Sequence, residues 1–297
     1  MFKMREDKEV ELIGVPFDMG AGILGARLAP EAVRLKGVIP LLEKLGYMVN
    51  SSDLKLENSY ENTEVGNMKN LELVKKTRDL LYGKTTDVLS QDKFPLIIGG
   101  DHSIVLGSFS AVLDKYSNPG IIYIDAHADI NTEETSLSGN IHGMSVAFLM
   151  GMGKSLLAKK GNVLKPSNIV YIGLRDLDCA EAKMVEELGV KTYFMSDIQS
   201  MGLDMVLKEV VSYISSKADE LHVSLDLDVL DPNIAPGTGV QVSGGMSLQE
   251  VEKLLADLST LKKIISFELV ELNPLLDRCG ITADIVLRLV EAFFRFR

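Results

Sequence analysis

The sequence predicts an α/β fold of three layers, in which a central, mainly parallel β-sheet lies between two layers of helices. Short apolar segments rich in β-branched residues alternate with longer segments of helical periodicity. Several of the short segments are apolar at consecutive positions, the pattern of strands covered on both faces. Helices between successive strands are the usual crossover between parallel neighbours. No linker or repeat interrupts the alternation, so we expect residues 1–297 to form one domain.

The individual elements follow from this alternation. The predicted strands are residues 10–15, 94–98, 121–124, 168–172, 221–227 and 264–269. The predicted helices are residues 71–89, 103–116, 205–216, 247–258 and 282–296. Ser247 and Glu250 have the spacing of a capping box, in which each side chain accepts a hydrogen bond from the backbone N–H of the other residue. We therefore expect a helix to begin at Ser247.

The composition argues against two classes of partner. The chain has 42 Asp and Glu residues against 31 Lys and Arg residues, a formal net charge of −11. Phosphate binding needs a basic surface, so we expect no nucleic acid partner, whereas a small cationic substrate is compatible with this charge. Residues 1–11 lack the apolar segment of a secretory signal, and no apolar run approaches the roughly 20 residues that span a bilayer. We therefore expect no membrane association.

The two cysteines, Cys179 and Cys279, lie far apart in the sequence, and neither belongs to a CxxC pair. A disulfide framework or a cysteine zinc site is therefore not expected. Two free thiols indicate a reducing compartment, and we expect a cytoplasmic protein.

The segment DAHAD directly follows the predicted strand 121–124. Alternate side chains of an extended chain share a face, so Asp125, His127 and Asp129 are expected to converge. Two carboxylates and an imidazole held together without a cation would be destabilised by desolvation and by repulsion. This segment therefore predicts a metal site.

Two further segments add candidate ligands. His102 follows strand 94–98, after two glycines and Asp101. Asp226 and Asp228 lie at the carboxyl end of strand 221–227, where both are expected to face the same way. Ligands of open α/β sheets bind outside the carboxyl ends of strands, so all these side chains are expected at one edge. Carboxylate and imidazole ligands without thiolate favour Mn²⁺, with Co²⁺, Fe²⁺ or Ni²⁺ as alternatives. Six ligands exceed the roughly three of a catalytic zinc ion, so we expect two ions about 3.5–4 Å apart.

The other two histidines have different expected roles. The polar loop 131–143 follows the DAHAD segment and must border the site, and His142 is its one residue able to exchange protons near neutral pH. His222 lies early in strand 221–227, and we expect it to be structural.

These segments, in this order, resemble the motifs of the ureohydrolase family, and of its arginase branch in particular. GGDHS, DAHAD and SLDLDVLDP resemble the family's metal motifs, and SGNIHGM resembles arginases more than agmatinases. The resemblance extends from GVPFDMG near the N-terminus to ELVELNP, over nearly the whole chain. It implies an arginase-like fold, two Mn²⁺ ions, a homotrimer or homohexamer, and hydrolysis of L-arginine to L-ornithine and urea.

The resemblance also implies roles for single residues. One ion would be held by His102, Asp125, Asp129 and Asp228, and the other by Asp125, His127, Asp226 and Asp228. Asp129 would hold the attacking water and pass on its proton, His142 would shuttle protons, and Glu271 would bind the guanidinium group. The residues implied in substrate binding are, with Glu271, His127, Asn131, Ser138, Asn140, Asp178 and Glu181.

Four positions depart from the family pattern. Val229 replaces a common glycine, and Leu137 and Ser145 each replace a common proline. Val240 stands where arginases usually carry a threonine, which removes a hydroxyl beside the guanidinium. The alternatives are therefore another ureohydrolase, such as an agmatinase, guanidinobutyrase or formiminoglutamase, or a non-catalytic metal-binding protein of the same fold.

Overall fold

The computed structural model describes residues 9–56 and 64–297. The strands in these ranges are β1 (Glu9–Gly14), β2 (Met48–Asp53), β3 (Glu64–Val65), β4 (Met68–Lys69), β5 (Phe94–Ile98), β6 (Pro119–Ile124), β7 (Ile169–Leu174), β8 (Lys191–Phe194), β9 (Glu220–Asp226) and β10 (Ile264–Val270). The α-helices are α1 (Ala29–Leu35), α2 (Val38–Lys44), α3 (Leu71–Ser90), α4 (Val105–Lys115), α5 (Ser145–Leu149), α6 (Cys179–Leu188), α7 (Met195–Met201), α8 (Leu203–Lys217), α9 (Leu248–Ser259) and α10 (Ile281–Phe296).

Eight of the strands form one sheet in the order β2-β1-β5-β10-β9-β6-β7-β8. All neighbouring strands of this sheet pair in parallel, while β3 and β4 form a separate antiparallel pair. The predicted three-layer fold with a mainly parallel sheet is thus confirmed. The four central strands are β5, β10, β9 and β6, in which the paired neighbours β5 and β10, and β9 and β6, are far apart in sequence. Their carboxyl ends lie side by side at one edge.

Two hydrophobic cores, one on each face of the sheet, explain the continuous apolar pattern of the strands. In β6, Ile122 and Ile124 join one core, whereas Ile121 and Tyr123 join the other, and all four are fully buried. Helices α1, α2 and α7 to α10 contribute to the first core, and α3 to α6 contribute to the second. Each buried side chain of this size stabilises the fold by about 1.5–3 kcal/mol. Burial on both faces therefore holds the central strands rigidly.

The six predicted strands are all present, and 94–98 has the predicted bounds. Sequence reasoning missed the edge strands β2 and β8. Each of them pairs with one neighbouring strand only, and most of its side chains are polar and at least partly exposed. It also placed the start of α4 too early, since His102–Ile104 form a 3-10 turn before it. The capping box between Ser247 and Glu250 is confirmed at the start of α9.

The expectation about the N-terminal segment falls largely on residues 1–8, which lie outside the described residues. Within the described ranges, no helix combines the length and the apolar character needed to cross a membrane.

Candidate metal centre

The side chains that the sequence analysis singled out meet where the four central strands end. The loop after β5 carries His102. This loop packs tightly on the segment that contains Phe17, because a Cβ on Gly100 would lie 1.3 Å from the carbonyl oxygen of Phe17, an approach that only glycine permits. The loop after β10 carries Glu271, whose backbone N–H donates to Gly100 O at 2.8 Å. The hydrogen bond from Glu271 N–H to Gly100 O joins the two loops and so brings His102 and Glu271 together.

A first cluster surrounds His102. Its Nδ1 lies 2.9 Å from Asp125 Oδ2, 3.3 Å from Asp129 Oδ2 and 3.3 Å from Asp226 Oδ2. All four residues are buried. Asp129 reaches this position through a left-handed backbone with a φ of 49°, so the DAHAD segment is not the extended chain that the sequence predicted. The three polar residues of DAHAD still converge, but through a turn.

A second cluster surrounds His127. Its Nδ1 lies 2.9 Å from Asp228 Oδ2 and 3.5 Å from Asp125 Oδ1. Asp125 therefore belongs to both clusters, with one carboxylate oxygen facing each histidine.

The structure divides Asp226, the last residue of β9, and Asp228 between the clusters differently from the ligand sets implied by the resemblance. Asp226 lies against His102 and Asp228 against His127, whereas the implied sets placed Asp226 with His127 and Asp228 in both. The strand ends at Asp226, and Leu227–Val229 form a 3-10 turn in which Asp226 Oδ1 accepts the N–H of Asp228 at 2.8 Å. The two carboxylates therefore do not share a face as they would in an extended strand.

These clusters have the chemistry of a divalent cation site. His102 Nδ1 and Asp125 Oδ2 are buried without a hydrogen-bond partner. Burial and repulsion from Asp228 and Asp125 raise the pKa of Asp226 well above its ordinary value, and burial and Asp125 raise that of Asp129 to about 6. Divalent cations would relieve this repulsion and use the unpaired ligand atoms. The residues present therefore fit two such ions.

His142 and Glu271 form a pair beside the first cluster. His142 Nδ1 lies 3.1 Å from Glu271 Oε1, and the same oxygen accepts the backbone N–H of His102 at 2.9 Å. Burial lowers the pKa of His142, but the neighbouring carboxylates Glu271, Asp129 and Asp101 together outweigh it and raise that pKa to about 9. Glu271 has a φ of 65°, a strained conformation for a residue other than glycine. Its carboxylate is held in place by the two contacts of Oε1, with the His102 N–H and with His142 Nδ1.

The residues implied in binding the far end of the substrate fall into two groups. Asn131 Nδ2 donates to Asp178 Oδ2 at 2.8 Å, and Asp178 begins α6 through a capping box with Glu181. Burial, with the nearby Asp129, raises the pKa of Glu181 to about 7. Ser138 Oγ accepts the N–H of Asn140 at 3.2 Å, further along the loop 131–143.

Sequence reasoning missed several residues that contact the clusters, among them Tyr123, Asp176 and Arg175. Tyr123 donates its hydroxyl to Asp129 Oδ2 at 2.7 Å and stacks on the ring of His102 with centroids 4.4 Å apart. Asp176 Oδ2 lies 3.5 Å from His127 Nε2. Arg175 Nη2 donates to the carbonyl oxygen of Asp228 at 2.6 Å. For Tyr123 the only signal was its position two residues before the DAHAD segment, which does not tell a core tyrosine from one that holds a ligand. Arg175 and Asp176 lie far from the metal motifs in sequence, so they carried no such signal.

The comparisons with known proteins agree with one another. The model of the arginase family matches residues 8–295. The arginase of Brevibacillus brevis is 39% identical over 292 residues, which are 97% of this chain and 98% of that protein. The arginase of Bacillus subtilis (strain 168) is 41% identical over 295 residues, 96% of this chain and 97% of that protein.

Solved structures give the same picture. The arginase from Bacillus caldovelox superposes with a TM-score of 0.91 at 38% identity, covering 97% of this chain and 98% of that one. The formimidoylglutamase from Bacillus subtilis has a TM-score of 0.80 at 21% identity, covering 99% of this chain and 88% of that one, and shows a shared fold alone.

Proposed function

This chain belongs to the arginase family of hydrolases, and on that premise we propose that it converts L-arginine and water to L-ornithine and urea. The observation that carries the proposal is the pair of histidine–carboxylate clusters sharing Asp125, in a chain about 40% identical to arginases over its whole length. The test is urea release from L-arginine, agmatine and 4-guanidinobutyrate after loading with Mn²⁺. Turnover of agmatine with none of arginine would overturn the proposal in favour of an agmatinase.

We propose two Mn²⁺ ions as the cofactors, with Co²⁺, Fe²⁺ or Ni²⁺ as alternatives, because the donors are oxygen and imidazole without thiolate. The proposed ligands of one ion are His102, Asp125, Asp129 and Asp226, and those of the other are His127, Asp125 and Asp228. When bound, such a pair of ions lowers the pKa of a water molecule so that it can act as a nucleophile near neutral pH.

The chain's own residues then bind the substrate and move protons. A guanidinium ion stays protonated in proteins, and the Glu271 carboxylate is suited to orient it through paired hydrogen bonds. Asp129 takes the proton of the attacking water and passes it to the leaving amine, and the Tyr123 hydroxyl keeps its Oδ2 oriented. His142, paired with Glu271 and part-exposed, exchanges protons with solvent.

Asn131, Ser138, Asn140, Asp178 and Glu181 are proposed to bind the α-amino and α-carboxylate groups. Asp178→Asn is expected to raise KM about tenfold for arginine and for agmatine, which both carry an ammonium group, because it removes one charge from the site. KM for 4-guanidinobutyrate, which has no ammonium group, should change little. Asparagine is also a good N-cap residue, so α6 should keep its start. Equal effects on all three substrates would assign Asp178 to the fold alone.

Val240→Thr is expected to lower KM for arginine about fivefold, since one added hydrogen bond is worth about 1 kcal/mol. The preceding residue, Gly239, lies close to the proposed guanidinium site, since a Cβ on Gly239 would be 3.7 Å from Glu271 Oε2, and the Val240 side chain is exposed. Steady-state kinetics of Val240→Thr and Val240→Ala provide the measurement, and the alanine variant should show no gain. An unchanged KM in the threonine variant would contradict this expectation.

We also propose that residues 1–297 form one catalytic domain. The single eight-stranded sheet and the family match over residues 8–295 support this proposal.

We further propose that the protein is a homotrimer or homohexamer and that its location is cytoplasmic. The free thiols of Cys179 and Cys279 support a reducing compartment. Light scattering on the purified protein tests the oligomeric state.

A further inference from the structure

A chain of buried polar side chains lies behind the first cluster, on the side of His102 away from Asp125. His102 Nε2 lies 2.8 Å from Ser224 Oγ, and Ser224 Oγ lies 2.6 Å from Glu268 Oε1. Ser224 in β9 and Glu268 in β10 are register partners, and all three residues are 0% exposed. None of the steps proposed above uses Glu268. A carboxylate in the middle of a sheet therefore needs another explanation.

The surroundings of Glu268 are those of an ionised carboxylate. Its Oε2 accepts the hydroxyl of Ser108 at 2.6 Å, and its Oε1 lies 3.2 Å from His222 Nε2. Burial raises the pKa of Glu268, but the neighbouring His222 imidazole and the hydrogen bond from Ser108 oppose this effect, and the pKa lies below its ordinary value. An ionised carboxylate only accepts hydrogen bonds.

The ionised state of Glu268 determines the direction of the hydrogen bonds that connect Glu268, Ser224 and His102. Because Glu268 only accepts, the Ser224 hydroxyl must donate to it. The lone pairs of Ser224 Oγ are then left for His102, so His102 Nε2 must carry the proton. A neutral imidazole with a proton on Nε2 has a bare Nδ1, and Nδ1 is the atom that faces Asp125, Asp129 and Asp226.

We propose that Glu268, acting through Ser224, is a positioning residue that holds His102 as the Nε2–H tautomer and so presents Nδ1 to a divalent ion. The inference rests on the proposed role of His102 as a metal ligand. Partners of this kind on metal-binding histidines fix the tautomer and the ring orientation, and their loss costs about 10–100-fold in metal affinity.

The test is Mn²⁺ binding by Ser224→Ala, measured by calorimetry and by metal content after dialysis. We expect the affinity for one of the two ions to fall about 10–100-fold, while circular dichroism shows a folded protein. The matched control is Ser266→Ala in the neighbouring strand. Ser266 is equally buried and its hydroxyl contacts His222 Nδ1 at 2.7 Å, so this variant loses the same kind of bond without touching His102. Its affinity for both ions should stay within about twofold of the parent.

Glu268→Gln is the second variant. An amide group can donate to Ser224 and so reverse the direction of the hydrogen bonds to His102, and we expect a similar loss of affinity for one ion. If Glu268 and Ser224 act through the same series of hydrogen bonds, the double variant with Ser224→Ala should bind Mn²⁺ no more weakly than Ser224→Ala alone. Should Glu268→Gln fail to fold, Ser224→Ala and its control decide the question.

Two outcomes would overturn the inference: parent-like binding of both ions by Ser224→Ala, or an equal loss of affinity in Ser266→Ala. Failure of the proposed function looks different. In that case the parent protein binds two ions but releases no urea from arginine, and the comparison of metal affinities still tests the role of Glu268.

Discussion

Replacing Asp129 with asparagine is expected to lower kcat for urea release by about 10³-fold or more. The side chain is proposed both to hold a metal ion and to receive the proton of the attacking water, and proton transfer by a positioned group alone contributes about 10²–10⁴-fold. Asparagine has nearly the same size, and its oxygen can still accept the hydroxyl of Tyr123, which contacts Asp129 Oδ2 at 2.7 Å. The fold should therefore survive while proton transfer is lost.

The measurement is steady-state kinetics with arginine, together with the Mn²⁺ content of the purified variant. Asp176→Asn is the matched control, because it removes a carboxylate that also lies near a proposed ligand, 3.5 Å from His127, but whose side chain is 60% exposed. We expect this control to keep kcat within about tenfold, since an exposed charge contact is weak. Parent-like turnover by Asp129→Asn would refute the proposed mechanism.

Removing the metal ions is expected to abolish turnover and to make the stability of the protein rise as the pH falls from about 7.5 to 5. Without cations, the site holds carboxyl groups whose pKa values are raised by burial and by neighbouring carboxylates. The pKa of Asp226 lies well above its ordinary value, and that of Asp129 is raised to about 6. Asp101, the fully buried residue before His102, has its pKa raised to about 6 by burial and by Glu271. A group whose pKa is raised in the folded state stabilises the fold when protonated, and that contribution is lost as the pH rises through the folded-state pKa. Asp101 and Asp129, whose pKa values lie near 6, should each contribute about 1 kcal/mol over this range.

The measurement is Tm against pH for the chelated and the Mn²⁺-loaded protein. Bound ions take the place of the protons, so the increase in Tm on adding Mn²⁺ should be largest near pH 7.5 and should shrink toward pH 5. The chelated double variant Asp129→Asn, Asp226→Asn is the control, because it lacks two of the titrating groups and should depend less on pH. If the chelated parent instead became less stable from pH 7.5 to 5, the repulsion inferred for the empty clusters would be wrong.

The fold was largely predictable because apolar patterning reports burial directly. Residues 94–98, with the sequence FPLII, carry no polar side chain, and they form a central strand with the predicted bounds. The edge strand Met48–Asp53, with the sequence MVNSSD, has mostly exposed side chains and no pattern that distinguishes it from a loop. Sequence reasoning therefore finds the covered strands and misses those at the edges.

Much of the candidate site was also predictable from the sequence. His102, the DAHAD segment and the Asp226–Asp228 pair each follow an apolar strand, and parallel strands end at one edge, so their meeting followed from topology alone. Their roles as ligands stay a prediction. The division of Asp226 and Asp228 between the clusters was not predictable, because it depends on the 3-10 turn at Leu227–Val229.

The sequence by itself determined the type of fold, the set of metal-competent side chains and the edge of the sheet where they gather, because these depend on periodicity and on local spacing. Only the tertiary structure decided which side chains touch. The strand order places β10 between β5 and β9. Glu271 therefore accepts a hydrogen bond from His102, 169 residues away in sequence, and Glu268 accepts one from Ser224, 44 residues away. Contacts over such separations arise from packing of the whole sheet, and no local pattern encodes them.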